Sequence, residues 1–332
     1  MPEVINSADQ PIQAVQPVVR GRFAPSPTGD LHLGNLRTAL LAWLFTRCAS
    51  GHFVLRIEDL DQPRVRPGST VRILADLRWL GLDWDEGPDC GGPYAPYTQS
   101  ERLHIYQHYL KQLQDAGLVY PCYCTRAEIA QAASDPQQGA EDGPRYPETC
   151  RNLSASDRRR YEANGRQPSL RFRVPAASLV TFNDLLVGEY TTQHVHSVVG
   201  DFIVQRSDGI FAYQFAVVID DALMHINQVV RGTDLLSSTA RQILLYEALG
   251  FPVPTFAHVP LVLDEQGHRL AKRQQSMGLA PLKEAGKSPQ AIITELAASC
   301  GLTDKDYPIS PKELVRQYSP SMYDIISAKT HG

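Results

Sequence analysis

His32 stands two residues before Gly34 in the run Arg22-Phe-Ala-Pro-Ser-Pro-Thr-Gly-Asp-Leu-His-Leu-Gly-Asn35. An imidazole N–H beside glycines that let a ligand approach the backbone suits a phosphate, provided that a helix begins there. A bare His-x-Gly is common by chance, so the weight rests on the whole run. A second candidate is the acidic cluster Glu58-Asp59-Leu60-Asp61. At the end of a strand it can hold a cationic group, or it can be a solvated turn. A third is Cys122-x-Cys124 with Tyr146-x3-Cys150. Three thiolates and one further donor can complete a tetrahedral zinc site, or the cysteines can be free and buried. His194 and His196 are the reserve donors.

These groups need elements to position them. Val18–Ala24 reads as a buried strand, and Asn35 as the cap of a helix whose Leu36, Leu40, Trp43 and Leu44 share a face. His52–Ile57 reads as a second strand delivering the acidic cluster. Pro67-Gly-Ser-Thr opens another helix. Tyr97-Thr-Gln-Ser-Glu101 resembles a capping box for the helix that ends at Gly117. From Tyr120 to about Val195 the chain is rich in Arg and Pro and reads as an insertion between two halves of a sheet. The two runs 201–206 and 210–218, joined through Asp208-Gly209, predict a hairpin. Residues 237–249 predict a helix, a further short strand leads to Leu261–Leu263, and the segments from Ser288 to Gly301 and from Pro311 to Ser327 predict two last helices.

The chain has 332 residues, a hydrophobic fraction of 43% and a formal charge of −4. It is long enough for two or three domains, and this charge argues against nonspecific nucleic-acid binding, though not against a local basic face. Arg151, Arg158, Arg159, Arg160, Arg166 and Arg171 are candidates for such a face, with a merely solvated surface as the alternative. No apolar run reaches membrane length and no signal peptide is apparent. A cytoplasmic monomer with no membrane partner is the default expectation.

The first run resembles the ATP-binding signature of class I aminoacyl-tRNA synthetases in its glutamyl form, with Asn35 in place of a second histidine. Arg56-Ile-Glu-Asp-Leu-Asp61 and Val229-Val-Arg-Gly-Thr-Asp234 resemble further motifs of that group. The resemblance covers about residues 19 to 275. It implies an α/β fold: a Rossmann-like parallel sheet split by a zinc-binding insertion and followed by a short helical C-terminal region. The expected divisions are a 1–17 tail, half-sheets 18–117 and 196–275, the insertion 118–195, and a helical region 276–332 without an anticodon-binding domain. It implies that His32, Gly34, Asn35 and Lys272 contact ATP, which acts with Mg2+, and that His32 and Lys272 serve catalysis. Arg22, Ser26, Glu58, Tyr213 and Arg231 are implied to contact L-glutamate, Glu58 by its ammonium. Cys122, Cys124, Tyr146 and Cys150 are implied to hold one structural Zn2+. The segment Arg269-Leu-Ala-Lys-Arg273 resembles the family's lysine loop, with Arg269 and Ala271 as departures.

Only 60 residues follow Lys272, and Tyr-x3-Cys is the form found in shortened relatives that load glutamate onto queuosine of tRNA(Asp). The expected function is therefore activation of glutamate with ATP and its transfer to that base. The alternatives are a compact glutamyl-tRNA(Glu) synthetase and a non-catalytic tRNA-binding paralogue.

Overall fold

The computed structural model describes residues 18–132, 145–192, 194–259 and 278–318. Nine strands are described: β1 (Arg20–Phe23), β2 (His52–Leu55), β3 (Val119–Cys122), β4 (Ser169–Phe172), β5 (Val180–Asp184), β6 (Gly188–Thr192), β7 (Phe202–Gln205), β8 (Gln228–Gly232) and β9 (Thr255–Val259). The helices are α1 (Leu33–Cys48), α2 (Ser69–Trp79), α3 (Leu103–Asp115), α4 (Arg126–Ala132), α5 (Ala155–Ala163), α6 (Val195–Val198), α7 (Tyr213–Leu223), α8 (Leu236–Leu249), α9 (Leu279–Glu284), α10 (Pro289–Ser299) and α11 (Pro311–Tyr318).

The main sheet runs β2-β1-β8-β9-β5-β6. All neighbours in it are parallel except the β5–β6 hairpin at the edge. From β1 the chain moves to one side, through α1 to β2. From β8 it moves to the other, through α8 to β9. The strand order therefore reverses between β1 and β8, and an open α/β sheet has its ligand crevice at the carboxyl ends of such strands. Arg22, near the end of β1, and Arg231, in β8, both fall there.

Helix α1 packs on one face, and nearly all of its residues from Leu36 to Cys48 are buried. It is a helix sandwiched between the sheet and α10 and α11, not a surface helix with one apolar stripe. Each fully buried leucine in it contributes roughly 1.5–3 kcal/mol relative to an exposed one. The close approach of α1 to β1 requires glycine at 21, because a Cβ there would lie 2.0 Å from Thr46 Oγ1. On the other face α3, α7 and α8 share a second core.

Three elements differ from the sequence reading. The second arm of the hairpin expected at 210–218 is α7; only Phe211 bridges back to Gln205. Its apolar run belongs to a buried helix, in which Phe215 to Asp221 are all buried. The expected capping box at 97–101 is absent. A 3-10 turn occupies Gln99–Arg102, and Asp59 braces it by accepting from Ser100 N at 2.8 Å and Ser100 Oγ at 2.6 Å. Third, His32 rather than Asn35 is the N-cap of α1. The short strand expected to lead to Leu261–Leu263 is β9, and residues 261–263 themselves lie outside the described residues.

β3, β4 and β7 form a separate three-stranded antiparallel sheet, whereas β5 and β6 extend the main sheet. Strand pairing thus crosses the division expected at 195/196, interleaving the insertion with the main sheet.

Candidate functional site

A cavity of about 780 Å³ opens at the crevice between β1 and β8, lined among others by Arg22, Ser26, His32, Glu58, Tyr213 and Arg231. Gly34 and Asn35 line it as well. Lys272, Arg269 and Ala271 lie outside the described residues.

His32 and Asn35 cap α1 reciprocally. Asn35 N donates to His32 Nδ1 at 3.2 Å, and His32 N donates to Asn35 Oδ1 at 3.3 Å. A backbone N–H can only donate, so Nδ1 is the acceptor and Nε2 of the neutral ring carries the hydrogen. Burial lowers the His32 pKa, against the opposing pull of Asp234. The ring thus offers an N–H donor beside the positive end of a helix 16 residues long. Glycine at 34 leaves that ring room, because a Cβ there would lie 3.1 Å from its Cε1 and Nδ1.

Beneath the cavity lies a buried ionic network. Arg56 is 0% exposed and reaches Glu58 at 3.0 Å, Asp221 at 2.8 Å and Asp220 at 3.6 Å. Arg102 binds Asp220 at 2.7 Å, and Arg22 Nε lies 3.3 Å from both oxygens of Asp221. Arg231 differs. Its bonds run to neutral acceptors: His258 Nε2 at 3.0 Å, Gln242 Oε1 at 2.7 Å, Thr239 Oγ1 at 2.7 Å and the Leu235 carbonyl at 3.5 Å. The ion pairs thus join three guanidiniums, of Arg22, Arg56 and Arg102, to three carboxylates, with Arg231 beside them and Asp234 also on the cavity wall.

Burial works against the charged form of two residues of the cavity wall, and they are opposite in sign. Burial pushes the Glu58 carboxyl up, against Arg56 and Arg22. Burial, and then Arg22, work against the Arg231 cation. Tyr213 is close enough to feel Glu58, Arg231 and Arg22. A ligand carrying both an ammonium and carboxylates would balance both. Asp220 and Asp221, which organise this network, lie in the expected half-sheet 196–275 without any motif of their own. No spacing flags two acids that end an apolar run as buried anchors.

The cysteine cluster is separate. Sγ atoms of Cys122, Cys124 and Cys150 all lie within 4.8 Å of one another. Tyr146 Oη is 3.3 Å from Cys122 Sγ and 3.9 Å from Cys124 Sγ. Donors of a tetrahedral thiolate site with bonds of about 2.3 Å stand about 3.8 Å apart, so this donor set fits such an ion. The reserve histidines are not part of it: His196 Nε2 pairs with Glu148 at 3.0 Å. Several of the candidate RNA-facing arginines are tied up in contacts with the protein itself, Arg151 and Arg171 largely buried and Arg166 in a surface ion pair. Arg151 binds Asp201, Arg166 binds Glu128, and Arg171 is buried over the Tyr146 ring at 3.9 Å. Arg159 and Arg160 on α5 are exposed.

The family model for the catalytic domain of class I tRNA synthetases (E and Q) matches residues 18–321. The chain belongs to this family. It has the α/β fold of class I synthetases and is a ligase. It is 54% identical over 295 residues to the glutamyl-Q tRNA(Asp) synthetase of Symbiobacterium thermophilum, covering 89% of this chain and 90% of that protein. It is 50% identical to glutamate–tRNA ligase 2 of Syntrophus aciditrophicus, covering 84% of this chain but 56% of that one. Among solved structures, the glutamate–tRNA synthetase of Elizabethkingia anophelis superposes with a TM-score of 0.78 at 34% identity, covering 90% of this chain and 65% of that one. No helix among the described residues is long and apolar enough to cross a membrane.

Proposed function

We propose that this synthetase activates L-glutamate with ATP and transfers it to the queuosine base of tRNA(Asp). The observation that carries the activation step is the cavity wall that brings together Arg22, Glu58 and Arg231, the last bonded to neutral acceptors among the described residues. Glutamate brings one ammonium and two carboxylates, groups that call for an acid and cations in the same wall. Glu58 takes the ammonium, and Arg22 and Arg231 take carboxylates, which a guanidinium can grip bidentately. Tyr213 and Ser26 add hydrogen bonds.

A glutamate carboxylate oxygen attacks the α-phosphorus of ATP, supplied as its Mg2+ complex, and pyrophosphate leaves. The nucleophile is already ionised, so no general base is needed. The protein's work is alignment and stabilisation of charge on phosphate oxygens. His32 Nε2–H and the N-terminal N–H groups of α1 donate to the phosphates beside Gly34 and Asn35. Lys272 supplies the pyrophosphate-side cation by resemblance of its loop. Cys122, Cys124, Cys150 and Tyr146 would hold one structural Zn2+, which would supply a cross-link within the insertion.

The tRNA(Asp) and queuosine assignment is supported by likeness over nine-tenths of their length to proteins bearing that name. The test is transfer of labelled glutamate to tRNA(Asp) with and without queuosine. Transfer only to the queuosine-bearing RNA is the expected result. Stable acceptor-end charging of tRNA(Glu) would establish the glutamate–tRNA ligase reading instead.

A further inference from the structure

Behind Arg231 stands a buried histidine that glutamate binding itself does not use. His258 faces Arg231 in the parallel register of β8 and β9 and is 0% exposed. Its Nε2 lies 3.0 Å from Arg231 Nε, and its Nδ1 lies 2.5 Å from Asp184 Oδ2. An arginine Nε–H can only donate. Nε2 is therefore an acceptor, the single ring hydrogen is on Nδ1, and it is given to Asp184. Asp184 is itself pinned at the β5–β6 turn, accepting from the backbone N–H groups of Leu186 and Val187, each at 3.0 Å, and from His258 N at 3.1 Å. The edge hairpin thus reaches across β9 to the guanidinium at the centre of the sheet.

We propose that His258, locked as its Nδ1–H tautomer by Asp184, is a positioning residue that aims Arg231 at a carboxylate of the amino-acid substrate. This rests on the reading of Arg231 as a carboxylate-binding residue. The case for a histidine here is that it orients without neutralising. Arg22 Nε is held by a carboxylate, Asp221, which competes with any anionic ligand for the same charge. An imidazole acceptor fixes the guanidinium plane equally well and leaves its charge to the ligand, while the orienting anion stays one ring away. Thr239 Oγ1 and Gln242 Oε1 complete the neutral cradle by holding the two Nη atoms. The charged groups acting on His258 are Asp184, Arg231 and Asp234. Burial keeps the ring uncharged, Asp184 opposes this, and Arg231 adds to it. A protonated ring would turn Nε2 into a donor against an obligate donor and set like charges together.

The test compares His258→Phe, which removes the acceptor, with His258→Gln, which can present an amide oxygen to Arg231 Nε. Glutamate-dependent exchange of pyrophosphate into ATP is measured for both. The Phe variant should raise KM for glutamate about 10- to 100-fold, the range for one lost hydrogen bond to a charged group. KM for ATP should stay within about threefold, and the Gln variant should recover most of the loss. Parallel rises in both KM values, an unchanged KM for glutamate, or a Gln variant no better than Phe would overturn the proposal. Nitrogen-15 NMR of the wild-type full chain gives a second readout that needs neither turnover nor a folded variant. It should show His258 uncharged at neutral pH, protonated at Nδ1 and bare at Nε2. A hydrogen on Nε2 would overturn the proposal even in a fully active enzyme. Absence of glutamate-dependent exchange in the wild type would instead overturn the glutamate reading, and with it the substrate named here, while leaving the tautomer lock to the NMR result.

Discussion

The cavity at the sheet crevice and the cysteine cluster of the insertion are both buried and polar, yet they are built in opposite ways. The cavity wall is held by charge pairs reaching across the fold: Arg22 on β1 to Asp221 on α7, and Arg56 after β2 to the same acid. These pairs fix the charged groups of the wall against one another. The cluster is local. Its sulfurs crowd together, with Cys124 Sγ 3.5 Å from Cys150 Sγ. The Cys122 thiol is drawn down to about 4, through its bond with Cys150 against the opposing effect of burial, while Cys150 is driven up. Three thiols at this spacing cannot all ionise without a cation between them. The first region is prepared to bind, whereas the second needs an ion to acquire its final state.

Removing the charge beneath the cavity should have the largest effect. Arg56→Ala leaves Glu58, Asp220 and Asp221 buried around an absent cation, which costs about 3–5 kcal/mol. Urea denaturation measures it; a loss below about 1 kcal/mol would mean that the network does not hold the site. Metal removal comes next. Elemental analysis should find one zinc per chain, absent from Cys150→Ser. Chelation should lower the unfolding temperature and reduce transfer to tRNA more than pyrophosphate exchange. Equal loss of both activities would erase the contrast between a preformed pocket and an ion-dependent insertion. Gly34→Ala presses on the His32 ring. At about 0.5–1.5 kcal/mol for a displaced side chain, KM for ATP should rise about two- to tenfold while KM for glutamate holds.

The smallest effect is on acid stability. The pKa of His258 in the fold is below its ordinary value, chiefly through burial. As pH falls below about 6.5, the unfolded chain takes up a proton that the native site refuses, so stability drops with pH by up to about 1.4 kcal/mol per unit until the native site also protonates. His258→Gln cannot take up that proton, so its stability should fall less steeply than the wild type's between pH 7 and 5. Identical slopes would contradict a neutral His258.

Much of the site was legible because its motifs are contiguous and fall at strand ends. His32 with Gly34, Glu58 after β2, and Arg231 on β8 all line one cavity. The parts that were not legible depend on partners distant in sequence. The run at 213–223 is rich in β-branched and aromatic residues, and a short apolar run does not distinguish a strand from a buried helix. It is helix α7, and that helix is what brings Asp220 and Asp221 under the arginines. Asn35 reads as a cap by residue type, but the reciprocal bond makes His32 the cap. Asp184 and His258 lie 74 residues apart, and no local pattern announces their pairing.

The most direct test of a pocket prepared in advance is glutamate-dependent pyrophosphate exchange into ATP with no tRNA present. Exchange by the protein alone is the expected result, because the cations and acids of the cavity wall are tied to one another within the protein. Exchange that begins only when tRNA(Glu) is added would contradict it, and would show that the RNA completes the site.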